Sequence, residues 1–74
     1  PDPGGATLVS TSTSVRNKWT ATVEWSDGSL LSGDWSTGDS CTEEPVCTLT
    51  GIRKNIGFVT FTADNGDSIT VNKP

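Results

Sequence analysis

Residues Lys18–Trp35 read KWTATVEWSDGSLLSGDW and hold all three tryptophans of a 74-residue chain. From Lys18 the alternation is strict. Trp19, Ala21, Val23 and Trp25 fall on one face and Lys18, Thr20, Thr22 and Glu24 on the other, the period-2 pattern of a half-buried strand. The turn that follows can be tested against this pattern, because loop length fixes the cross-strand partners and a one-residue slip reverses every side chain. A two-residue Asp27-Gly28 loop sets Trp25 opposite Leu30 and Val23 opposite Ser32. A three-residue Ser26-Asp27-Gly28 loop, with Gly28 left-handed, sets Val23 opposite Leu31, Ala21 opposite Gly33 and Trp19 opposite Trp35. The second register gathers the apolar side chains, and it predicts a hairpin closed by a type I turn with a glycine bulge.

The same reasoning applies to GFVTFTADNGDSITV near the carboxyl terminus. A three-residue Asp64-Asn65-Gly66 loop pairs Phe61 with Ile69 and Val59 with Val71, whereas a two-residue loop pairs Phe61 with Thr70. The three-residue loop is again the expectation. Between the hairpins, Val46–Thr50 reads as a short strand, Thr42–Pro45 as a polar turn, and Gly51 as the start of a connection carrying Arg53 and Lys54. TLVSTSTSV, residues 7–15, is β-prone but poorly patterned, with Leu8 and Val9 on opposite faces, and suits an edge strand. PDPGGA, residues 1–6, has two prolines and two glycines and reads as a linker, leaving residues 7–73 as one module. No stretch keeps helical spacing over ten residues. Six or seven short strands with turns about every ten residues predict an all-β antiparallel sandwich. Its expected core is Trp19, Val23, Leu31, Trp35, Leu49, Val59, Phe61, Ile69 and Val71.

A chain of this length buries only about 60% of the surface that its unfolded form exposes, so a covalent staple is expected. Cys41 and Cys47 are the two cysteines, and histidine is absent. Two sulfur ligands without histidine make a poor zinc site, and a disulfide is the better reading. Such a bond implies an oxidising, extracellular setting. No apolar run is long enough to cross a bilayer and no signal peptide opens the sequence, so a secreted protein would be represented here by an excised or mature piece. The net charge of −4 repels phosphate backbones and anionic membranes, so neither nucleic acid nor membrane is an expected partner.

The succession KWTATV, LLSGDWS, SCT, VCTLTGIRKNIG and VTFTAD, from Trp19 to Ala63, resembles the immunoglobulin-like accessory modules of secreted bacterial hydrolases and other extracellular multidomain proteins. Its most distinctive parts are S-G-x-W-S at Ser32–Ser36 and I-R-K-N at Ile52–Asn55. The resemblance implies a small immunoglobulin- or fibronectin-III-like sandwich, non-catalytic and extracellular. It supplies no catalytic or binding residue.

Without histidine the usual serine or cysteine nucleophile lacks its usual base, and scattered turn carboxylates define no acid–base pair. Neither an enzyme nor a cofactor is expected. Asp34, Asp39, Asp64, Asn65 and Asp67 lack the spacing of a calcium loop and read as turn caps, so no metal site is expected. Trp25 lies at the rim of its strand, and an exposed indole there beside Glu24 and Asp27 would stack on a sugar ring while the carboxylates accept its hydroxyls. The leading expectation is a spacer and docking element beside a neighbouring domain of the same polypeptide. A carbohydrate-binding module recognising a polysaccharide and a cell-surface adhesion repeat are the alternatives.

Overall fold

The computed structural model describes residues 3–74. A short 3-10 turn, Pro3–Gly5, leads into seven strands: β1 Leu8–Val15, β2 Lys18–Trp25, β3 Leu31–Trp35, β4 Ser40–Glu44, β5 Cys47–Arg53, β6 Phe58–Ala63 and β7 Ser68–Asn72. They form two antiparallel sheets, ordered β1-β2-β5 and β4-β3-β6-β7. Of the six residues read as a linker, Pro1 and Asp2 lie outside the described residues, Pro3–Gly5 form the turn, and Ala6 is buried.

The carboxyl-terminal hairpin has the expected register, Phe61 against Ile69 and Val59 against Val71. Its Asp64-Asn65-Gly66 loop is closed by two backbone bonds, Gly66 N to Ala63 O (2.9 Å) and Ala63 N to Asp67 O (2.7 Å). Gly66 has φ +97°, a conformation in which a β-carbon would be strained.

The predicted hairpin between β2 and β3 does not form. Its local turn is present, since Gly28 N donates to Trp25 O at 2.9 Å, but the second closing bond is missing. Ser26 N donates to Thr7 O (2.8 Å), which extends the pairing with β1 beyond Trp25. The chain leaves the turn for the other sheet, while β2 is flanked by β1 on one side and β5 on the other. Val23 and Leu31, and Trp19 and Trp35, thus belong to opposite sheets of one core rather than to neighbouring strands.

Two further expectations are corrected. Thr42–Glu44, read as turn, belongs to edge strand β4, and the segment from Gly51, read as a connection, continues β5 to Arg53. The cause of the second is a bulge: Trp19 faces Ile52 and Ala21 faces Leu49, so Thr50 and Gly51 together oppose Thr20. Gly51 takes φ +70° there, which breaks the alternation that sequence patterning relies on. The segment TLVSTSTSV does form an edge strand, β1.

All of the expected core residues are buried except Ile69, which is partly buried. Ala6, Ala21, Trp25, Cys47, Ile52 and Ala63 complete the cluster. Trp35 and Phe61 meet edge to face, with ring centroids 5.1 Å apart, an arrangement favoured by the ring quadrupoles.

Cys41 and Cys47 are bonded, joining β4 of one sheet to β5 of the other across the shortest connection between them. The Trp35 indole N–H donates to Cys47 Sγ at 3.1 Å. A closed loop this short contributes about 2–3 kcal/mol through the unfolded state. Reduction is therefore expected to lower the melting temperature by about 10–20 °C. Thermal unfolding followed by circular dichroism, with thiol titration confirming reduction, checks this; a shift below a few degrees contradicts it.

Candidate functional site

The strand directions divide the loops between two ends of a body measuring 37 × 20 × 17 Å. One end carries the Pro3–Gly5 turn, the β2–β3 loop, the β4–β5 link and the β6–β7 turn; the other carries the β1–β2, β3–β4 and β5–β6 connections and the end of β7.

Trp25 lies at the first end but does not present the surface expected of a sugar platform. It is only 4% exposed, because β1 pairs with β2 along its full length and Leu8, opposite Trp25, packs against the same core. Glu24 follows the strand alternation onto the other face, so the two side chains do not converge. Asp27 is engaged in its own loop, its Oδ1 accepting from Ser29 N (3.0 Å) and Ser29 Oγ (2.6 Å). The Ser29 hydroxyl and then the Ser29 amide hold this carboxyl below its ordinary range. A lowered folded-state value stabilises the fold above about pH 4 and loses that contribution as pH falls through it.

The edge of Trp25 borders an open depression of about 330 Å³ with Leu30, Ser32, Glu43, Asp64 and Asn65. That volume is at the bottom of the range for small-molecule pockets, and an enclosed apolar lining is missing. Asp39 and Asn65 cap their turns. Asp39 accepts from Thr37 Oγ1 at 2.7 Å, and Asp67 N donates to Asn65 Oδ1 at 2.9 Å. Among the described residues no group of three metal-ligating side chains converges.

The opposite end brings the basic residues together. Arg16 sits in the β1–β2 turn, Lys18 begins β2, Arg53 ends β5 and Lys54 follows it, and Lys73 follows β7. These are all five basic residues of the chain. Lys18 and Arg53 are register partners, and the Lys73 ammonium donates to Lys54 O at 3.0 Å. The β5–β6 connection that presents Lys54 is held by a bond from the buried Trp19 indole to Ile56 O at 3.0 Å. By contrast Glu24, Asp27, Glu43, Glu44, Asp64 and Asp67 lie toward the first end, and among the described acidic side chains Asp34 and Asp39 share the basic end. The strand directions place these groups at opposite ends. Models of known protein families, curated proteins and solved structures, compared with this chain, give no match.

Proposed function

We propose that the chain is a non-catalytic, immunoglobulin-like module of a secreted bacterial multidomain protein, acting as a spacer and docking element beside a neighbouring domain. The observation that carries this reading is the use of all three tryptophans as core: Trp19 is 0%, Trp25 4% and Trp35 3% exposed. A polysaccharide-binding surface commonly offers flat aromatic faces to sugar rings, and these three rings are committed elsewhere.

The sheet order supports the immunoglobulin or fibronectin-III type. With the strands lettered in chain order and the fourth as C′, the sheets are A-B-E and C′-C-F-G, with the crossovers of a Greek-key sandwich. A buried tryptophan on the third strand packing on a disulfide is a further parallel, although here the bond joins the fourth and fifth strands. Entry of the chain at one end and exit at the other suits a module that holds its neighbours in line. The disulfide is compatible with an extracellular location.

The expected result is that insoluble and soluble polysaccharides leave the tryptophan emission unchanged and do not deplete the protein from solution. Saturable depletion that Leu30→Ala abolishes without loss of stability would instead establish the depression beside Trp25 as a carbohydrate site.

A further inference from the structure

The two ends of the sandwich are complementary to each other. One gathers Arg16, Lys18, Arg53, Lys54 and Lys73, five bases against the two carboxylates of Asp34 and Asp39; the other gathers Glu24, Asp27, Glu43, Glu44, Asp64 and Asp67 with no base among the described residues. The long axis is 37 Å, several times the screening length of about 8 Å at physiological salt. The ends therefore do little to neutralise one another within a molecule, yet each is available to a partner.

The cationic end also breaks a local rule. Lys18 and Arg53 stand directly opposite across β2 and β5, where like charges destabilise a sheet. Among the described acidic residues only Asp34 and Asp39 share that end, and Asp39 borders the same depression as Arg53, so five bases face two carboxylates and a net positive charge is left for a partner. Exposed apolar side chains accompany both ends. Val15, Ile56 and Phe58 lie toward the cationic end, the last 60% exposed, and Val9, Leu30 and Val46 toward the anionic one.

We propose that the module associates end to end with a second copy of itself, the cationic end of one seated on the carboxylate end of the next. The contact is heterologous, so it generates an open series rather than a closed dimer. The 20 × 17 Å cross-section is well below the roughly 800 Å² that a stable partner buries on each side, so the association is weak, steered by charge and sensitive to salt. This goes beyond the docking role proposed above and does not require a particular neighbour.

Sedimentation equilibrium of the protein up to about 1 mM, a concentration suited to so small an interface, tests it at low and high salt. The expected weight-average mass rises with concentration past that of two copies at low salt and returns to that of one at high salt. Two charge reversals locate the contact: Arg53→Glu with Lys54→Glu, added to Asp34 and Asp39, makes both ends anionic, and Glu43→Lys, Glu44→Lys, Asp64→Lys and Asp67→Lys together make both cationic. Each variant alone is expected to stay monomeric, and an equimolar mixture to associate again, which unfolded variants would not do. A wild-type protein that remains monomeric at low salt, a mass that levels at two copies, or association indifferent to the reversals overturns the proposal.

Discussion

Replacing Trp19 by alanine is expected to cost about 3–5 kcal/mol, the range for deleting a buried large aromatic side chain. A chain of this length has a total stability of about 4–11 kcal/mol, so the variant retains little margin. Trp19 is fully buried and is the largest such side chain. It faces Ile52 beside the β5 bulge, and its indole holds the β5–β6 connection through Ile56 O. Denaturant unfolding followed by far-ultraviolet circular dichroism measures the loss, and a value below about 1.5 kcal/mol contradicts the packing described. Trp19→Phe separates the two contributions. It keeps much of the buried area but removes the hydrogen bond, for a further cost on the order of 1 kcal/mol, and it releases the connection that carries Lys54.

Gly33→Ala is expected to destabilise the fold by about 3 kcal/mol, at the upper end of the range for overpacking a core. A β-carbon at Gly33 would lie 2.3 Å from Thr62 O, 2.7 Å from Phe61 Cζ and 2.8 Å from Ala63 Cα. Two of these neighbours are backbone atoms of β6, the hydrogen-bonded neighbour of β3, and the third is the ring of a fully buried phenylalanine. None can move without opening the centre of the four-stranded sheet. Gly51→Ala is the control: it places a β-carbon in open space but at φ +70°, and its cost is about 1–2 kcal/mol of backbone strain. Equal losses in the two variants, measured by the same unfolding experiment, would contradict the steric account of Gly33.

The charge polarity bears on how far composition reaches. A net charge of −4 argues against anionic partners only if the charge is spread evenly. Here it averages a cationic end and an anionic end of one elongated body. The basic residues are distributed from Arg16 to Lys73 along the chain, and antiparallel topology returns them to one place.

Among the candidate site residues, the cysteine pair was legible in the sequence because so small a core calls for a covalent staple, and the structure shows the bond. The role assigned to Trp25 was not. A ring at the end of a strand reads as a rim residue when its neighbours are unknown. Full-length pairing of β1 with β2 closes over it, and that depends on a Ser- and Thr-rich segment with little apolar pattern of its own.

The amino-acid sequence by itself determined which face of β2, β3, β6 and β7 is apolar, the local form of the glycine turns, and the carboxyl-terminal register. All are consequences of a two-residue period and of positions that demand positive φ. Tertiary structure alone decided which strands are neighbours. An inward-facing side chain meets the same apolar surroundings whether its counterpart lies beside it in one sheet or across the core in the other, so alternation cannot distinguish the two arrangements. In β2 the choice followed from hydrogen bonding. The β-ladders to β1 and β5 occupy its two edges, leaving none for β3.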